Sequence, residues 1–332
     1  QETLFHEKQT IIENCLFGVD LNPNSVKICR LRLWIELLKN AYYKNETELE
    51  TLPNIDINIK CGNSLISRFA LDADLKQALK KSASKWTIDS YRLAVDTYRN
   101  AQSKEQKREM ERLINEIKTN FRSEISQNDP KVKRLAKVKN ELYTMTEHPK
   151  LFELSHKEKI AWNKKVKELS DESAKLESQI EEIKNNKIYE NAFEWRFEFP
   201  EVLNDNGEFI GFDVVIGNPP YGVSIKGNER NHLVSNISKV PDFEIYYWFI
   251  DRSFQILKSK GLSSLIIPNS ILFNVFAQEY RLKLFDNWGI EEMLDCTYIS
   301  IFEDATVRNV IFIFNKNSTQ KTLSYKPTND IL

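Results

Sequence analysis

Asn218-Pro219-Pro220-Tyr221 follows the apolar run Phe212-Asp213-Val214-Val215-Ile216-Gly217. The run reads as a buried strand that stops at an amide, two prolines and an aromatic ring. Proline lacks a backbone N–H and holds φ at about −65°, so the strand cannot continue as a ladder. The tetrapeptide is therefore a rigid turn at a strand's carboxyl end, where open α/β sheets place their ligands. Asn218 offers a hydrogen-bond acceptor and Tyr221 a face for stacking. Together they suit a flat, amino-bearing substrate such as a nucleobase.

Three regions surround this turn. Residues 1–69 alternate strand and helix signals. Leu16-Phe17-Gly18-Val19-Asp20 reads as a short buried strand. Asn22-Pro23-Asn24 then opens a helix, with Asn22 or Asn24 as its cap. That helix is apolar on much of its surface, from Val26 to Leu38, and is expected to pack on a sheet. Ile55 to Cys61 alternates isoleucine with polar residues and predicts a second strand ending at Gly62.

Residues 70–190 lack glycine and are rich in charged and amide side chains. Trp162, Val166, Leu169, Ser173, Leu176, Ile180 and Ile183 form a heptad seam with one polar position. Asp129-Pro130 and His148-Pro149 interrupt the helical pattern. The region reads as three or four long helices folded into an antiparallel coiled-coil insertion. Residues 191–332 return to α/β pattern. A polar loop is expected over 222–240, a helix from Phe243 to Lys258 stopped by Gly261, and a strand Leu262–Ile267 ending at Pro268-Asn269-Ser270. A helix over 275–287 and strands Glu291–Cys296 and Val307–Phe314 complete a mostly parallel, doubly wound sheet.

The 332-residue chain has a net charge of −1, which argues against a generally basic nucleic-acid-binding protein. Any DNA contact would come from local patches or from a part outside this chain. The four cysteines form no C-x-x-C pair and no cluster with the four histidines, so no metal site is expected. No long uninterrupted apolar segment predicts membrane insertion. The chain begins at Gln1 and its first methionine is Met110, which reads as a portion of a longer protein.

Together these motifs resemble the N6-adenine DNA methyltransferases of type IIG-like restriction–modification enzymes. Leu16–Pro23 (LFGVDLNP) looks like that family's second motif and Cys61–Leu65 (CGNSL) like its third. Phe197–Leu203 (FEFPEVL) resembles the lead-in to the N-P-P-Y strand; Ser264–Phe273 and Ser300–Ile313 resemble later core motifs. The resemblance implies a Rossmann-like α/β sheet, interrupted by the helical insertion, that uses S-adenosyl-L-methionine as cofactor. It implies that the Asn218 side chain and the Pro219 carbonyl accept the two N6–H bonds of an adenine flipped out of the duplex. Pro220 stiffens the turn, Tyr221 stacks on the base, and Phe302 supplies a second ring contact. Asp20, Leu21, Asn63, Ser64 and Asn218 are implied on the cofactor side: Asp20 for the ribose diol, Leu21 against the adenine, Asn63 where many relatives carry an acid. Asp213 reads as a residue that merely begins the strand.

The family's first motif, a glycine-rich loop after a central strand, has no counterpart, because no two glycines here are separated by one residue. That strand would lie between those ending at Asp20 and Gly217. Without it, two edges are expected to face an empty slot with unpaired backbone groups, and the chain alone is expected to bind cofactor poorly. The resemblance further implies double-stranded DNA as partner, held by a recognition domain not in this chain, a possible endonuclease domain or subunit, and a bacterial cytoplasmic location. Glu116-x-Lys118 and Glu182-x-Lys184 match half of a nuclease pattern but read as solvated helix faces. Two other readings stay open: a protein-glutamine N5 methyltransferase, which also carries N-P-P-Y, and a non-catalytic coiled-coil scaffold.

Overall fold

The computed structural model describes residues 2–50, 52–72, 86–147, 156–185, 187–236, 240–241, 244–299, 301–302, 307–316 and 324–327. The fold is α/β, built from two sheets. Helix α1 (Glu2–Cys15) leads into β1 (Gly18–Asp20), and α2 (Pro23–Leu38) returns to β2 (Ile59–Cys61), which lies parallel to β1. Asn22 caps α2 by accepting from the Asn24 N–H at 2.9 Å, and Pro23 occupies the first helical position, where a missing N–H costs nothing. Only one face of α2 is buried, at Val26 and Leu37; Ile28, Leu31, Ile35 and Leu38 are exposed. The strand expected from Ile55 is shorter: Ile55–Ile57 form a 3₁₀ turn, and pairing starts at Ile59. The Asn58 amide group explains the break, since it donates to the carbonyls of Glu13 and Leu16 and so ties the turn to the end of α1.

The second sheet contains β3 (Phe212–Gly217), β4 (Leu257–Pro268), β5 (Gly289–Cys296), β6 (Asn309–Asn315) and β7 (Ser324–Pro327), in the order β3-β4-β6-β5-β7. β3 and β4 are parallel, but β6 is antiparallel to both β4 and β5, so this sheet is mixed rather than mostly parallel. Alternating helix and strand signals stop at β5, and β5 and β6 are joined without a helix among the described residues. Gly211, at φ +86°, lets the chain enter β3 beside the start of β4; a Cβ there would lie 2.5 Å from the Ile256 carbonyl oxygen.

The insertion is not one coiled coil. Helices α3 (Ile88–Arg99) and α4 (Lys104–Asn128) pack on the core through Tyr91, Val95, Ile117 and Phe121, which meet Phe197 and Leu203. The Tyr91 hydroxyl donates to the Phe197 carbonyl at 2.6 Å. Glu198 receives Lys60 of β2 at 3.1 Å and, from α4, Lys118 at 2.7 Å and Arg122 at 3.3 Å. Burial and the adjacent Lys118 push Lys60 down to about 7. Burial alone would raise Glu198, but Lys60 and Lys118 hold it at about 2. Lys118 is thus a structural ion-pair partner.

α5 (Pro130–Glu147) and α6 (His156–Asn185) form an antiparallel pair as expected. Arg134 meets Glu172 at 2.7 Å and Glu141 meets Lys165 at 2.7 Å, which sets the register. Val138, Leu169 and Ser173 are buried between the two helices. Pro130 breaks one helix and begins the next, with Asp129 accepting from the Lys131 N–H at 2.7 Å. Pro149 and the side chain of Ile183 lie outside the described residues.

The loop expected over 222–240 contains helix α7 (Gly227–Asn236). The following helix, α8, is Tyr246–Ile256; it ends five residues before Gly261, which lies inside β4, and Phe243 falls outside the described residues. Tyr247, Ile250 and the α9 (Gln278–Asn287) residues Tyr280 and Leu284 pack with Ile267 and Phe312 in the largest core cluster. Among the described residues no helix is long and apolar enough to cross a membrane.

Candidate active site

β1 and β3 are the open edges of their sheets: β1 pairs only with β2, and β3 only with β4, among the described residues. Phe17, just before β1, meets Phe212, at the start of β3, with ring centroids 5.9 Å apart. Phe17, Val19, Phe212 and Val215 pack on one cluster with Phe193, Trp195 and Phe199. The two edges therefore share a hydrophobic floor, and no ladder joins them among the described residues. Val214 and Ile216, on the other face of β3, are 59% and 77% exposed. In a strand covered on both faces they would be core residues.

At the carboxyl end of β3 the turn is held by its own side chains. Pro219 is buried, while Asn218 and Pro220 are exposed. The Tyr221 hydroxyl donates to the Asn218 side-chain oxygen at 2.5 Å and lies 2.9 Å from the Ile266 carbonyl of β4. Burial raises the Tyr221 hydroxyl above its ordinary range, which keeps it a donor. This contact orients the amide with its oxygen toward the ring. Asp213 at the other end of β3 pairs with Lys258 at 2.8 Å, in keeping with a residue that only begins the strand.

The cofactor-side residues lie at the ends of β1 and β2. Asp20 is opposite Cys61, and the Gly62 N–H donates to the Asp20 carbonyl at 3.0 Å. One Asp20 carboxylate oxygen accepts from the Asn22 N–H at 2.6 Å. The carboxylate remains exposed, as does Leu21, so a diol can still reach it. The Asn63 side-chain oxygen already accepts from the Leu65 N–H at 3.1 Å, which leaves its NH₂ as the outward donor. The Ser64 carbonyl accepts from the Trp195 indole at 2.9 Å, so Ser64 is anchored through its backbone.

Residues 14–302 match the profile of the Eco57I restriction-modification methylase. The chain belongs to the Eco57I restriction-modification methylase family. A putative type II restriction enzyme and methyltransferase of Methanocaldococcus jannaschii is 27% identical over 345 residues, covering 94% of this chain and 27% of that protein. A type II restriction enzyme and methyltransferase of Escherichia coli is 27% identical over 113 residues, covering 32% of this chain and 11% of that protein. The chain thus spans about a quarter or less of the length of these two relatives. A type I restriction-modification methyltransferase subunit from Streptococcus thermophilus superposes with a TM-score of 0.34 at 13% identity, covering 99% of this chain and 81% of that one.

In this methylase chain the structure brings Asn218 and Tyr221 together directly, and Asp20, Leu21, Asn63 and Ser64 together at two neighbouring strand ends. Phe302 lies on the connection between β5 and β6, beside residues outside the description, and is half-buried. Sequence reasoning missed Asn269. Its side chain donates to Thr297 Oγ1 at 3.0 Å and its N–H to the Arg308 carbonyl at 2.8 Å, which stitches the end of β4 to the β5–β6 connection. It missed also the exposed rings of Phe273 and Phe276, because an apolar run does not disclose which of its members face water.

Proposed function

We propose that this chain carries the acceptor-base site and part of the cofactor site of an S-adenosyl-L-methionine-dependent DNA methyltransferase that modifies adenine N6 within a restriction–modification enzyme. The observation that carries the reading is the Tyr221–Asn218 contact at the end of β3. It presents a pre-oriented amide oxygen beside an aromatic ring, on a turn that two prolines make rigid. Family membership supports the same class of reaction.

The adenine amino group is a poor nucleophile because its lone pair is delocalised into the ring. The Asn218 oxygen and the Pro219 carbonyl would each accept one N6–H bond. That pulls the nitrogen toward a localised lone pair, and the bonds strengthen as positive charge develops on it. The Tyr221 ring would hold the base at the orientation an in-line displacement needs. The base is out of reach inside a duplex, so it must be flipped out. Asp20 would hold the cofactor's ribose through its exposed carboxylate, and Leu21, Asn63 and Ser64 would line the adenosine side. When bound, S-adenosyl-L-methionine supplies an electrophilic methyl group.

The test is methyl transfer from labelled cofactor by the full-length enzyme, with duplex DNA and a glutamine peptide offered separately. Transfer to adenine N6, lost by about 10²-fold or more in Asn218→Ala, is expected. Transfer to the peptide instead, or an Asn218→Ala enzyme that still methylates DNA normally, would overturn the assignment.

A further inference from the structure

We propose that Phe273 and Phe276 insert between DNA bases next to the target, opening the stack so that the target base can reach Asn218. The proposal rests on the DNA-methylation reading above. β3 and β4 are parallel neighbours, so Asn218–Tyr221 and the segment after Pro268 leave the sheet at the same carboxyl end. β5 runs in the same direction as β4, so its end at Cys296 lies there too. Large exposed apolar residues gather on the connections leaving this end: Val223 after β3, Phe273, Val275 and Phe276 after β4, and Tyr298 after β5. Phe273, Val275 and Phe276 are 69%, 76% and 86% exposed. Exposed apolar clusters of this kind mark contact surfaces.

The two rings are held out by the backbone rather than left loose. Ile271 and Ala277, on either side, are buried in the core cluster. The Asn274 side chain accepts from the Phe276 N–H at 2.9 Å, and its own N–H donates to the Ser270 carbonyl at 2.8 Å. Arg281 of α9 donates to the Ile271 carbonyl at 3.0 Å and the Asn274 carbonyl at 2.5 Å. This segment, a helical turn Ser270–Phe273 followed by a 3₁₀ turn Val275–Ala277, cannot fold its rings back into the core without breaking these bonds.

The chemistry of this segment selects the occupant. Residues 268–277, Pro-Asn-Ser-Ile-Leu-Phe-Asn-Val-Phe-Ala, carry no charge, so the segment suits bases rather than phosphates. Apolar side chains that enter a base step unstack it, and aromatic rings stack on any base. A target leaving the stack exposes its neighbours' faces at the end of the sheet where these rings stand.

The test uses the full-length enzyme with Phe273→Ala/Phe276→Ala and the conservative Phe276→Trp. Each is assayed on a duplex with the target adenine paired and on one with the target opposite an abasic site, where the pairing is gone and opening costs less. Loss of both stacked rings predicts about a thirtyfold or greater fall in kcat/KM on the paired duplex for the double alanine variant. The same variant should lose much less activity on the abasic duplex than on the paired one, and Phe276→Trp should retain activity on both. Equal loss on the two duplexes, as expected if the rings pack on another part of the enzyme, would overturn the proposal, as would unchanged activity on the paired duplex. Failure of the methylation reading itself is distinct: the unsubstituted enzyme would then transfer no methyl group to either duplex.

Discussion

The hydroxyl of Tyr221 is shared between the Asn218 side-chain oxygen at 2.5 Å and the Ile266 carbonyl at 2.9 Å. One proton cannot serve both acceptors fully, so the tyrosine braces the turn against β4 while aiming the amide. Its ring and its hydroxyl thus have separable tasks. Tyr221→Phe keeps the ring and should lower kcat by about tenfold or less, the worth of one hydrogen bond, with little change in KM for DNA. Tyr221→Ala removes the stacking face as well and should also raise KM. Steady-state kinetics of both variants in the full-length enzyme decide it; identical kinetics would mean the ring has no part in holding the base.

Asp20 and Asn63 make a paired prediction on the cofactor side. Asn at position 20 can still accept from the Asn22 N–H, so Asp20→Asn should keep the loop while removing the charge beside the diol. We expect cofactor affinity to fall by about tenfold, the difference between a charged and a neutral acceptor. Asn63→Asp likewise keeps the bond to the Leu65 N–H but loses the outward NH₂. If that group donates to the cofactor, Asn63→Asp weakens binding; stronger binding would show that the position works as an acceptor. Calorimetry on the full-length enzyme reads both.

The turn chemistry at 218–221 was legible because prolines and a strand-ending amide leave few conformations, and Asn22-Pro23 was legible as a helix start for the same reason. Topology beyond β4 was not. An apolar run such as Val307–Phe314 has the same pattern whether its neighbour is parallel or antiparallel, and only the lack of a helix between β5 and β6 among the described residues distinguishes them. The insertion misled in another way. Tyr91, Val95, Ile117 and Phe121 have the spacing of a coiled-coil seam, but they pack also on the core strip Phe197–Leu203, far away in sequence. Periodicity shows that a helix face is buried; it does not say against what. In the site, hydrogen bonds such as Asn63 to Leu65 depend on backbone turns that residue types alone leave open.

The uncovered face of β3 can be tested by stability. Val214 and Ile216 already stand in water, so Val214→Thr/Ile216→Thr should shift the stability of this chain by less than about 0.5 kcal/mol. In the full-length enzyme the same pair should lower Tm measurably if another segment packs on that face. The accompanying expectation concerns the cofactor. With no ladder among the described residues joining the strands that end at Asp20 and Gly217, this chain alone should bind S-adenosyl-L-methionine more weakly than micromolar. Micromolar binding by calorimetry, or equal melting shifts in the two proteins, would remove the role given to the open edges.

Lys60 gives the chain an alkaline stability limb of defined sign. Its ammonium is buried beside Lys118, which pushes it to about 7 in the folded state from 10.5 when unfolded. Between those values the unfolded chain binds more protons, so this group makes stability rise with pH from about 7 to 10.5 and contributes no slope below 7. Glu198 acts at the other end. Held at about 2 against 4.5 unfolded, it contributes stability present above 4.5 and lost as pH falls toward 2. The two groups titrate as a coupled pair, so the limbs belong to the ion-pair node as a whole. Lys60→Met should flatten the alkaline limb of a Tm-against-pH curve and leave part of the acid limb, since Lys118 and Arg122 still face Glu198. An unchanged alkaline limb in the variant would show that Lys60 stays charged in the folded chain, and that the α4 junction tolerates three cations around one carboxylate.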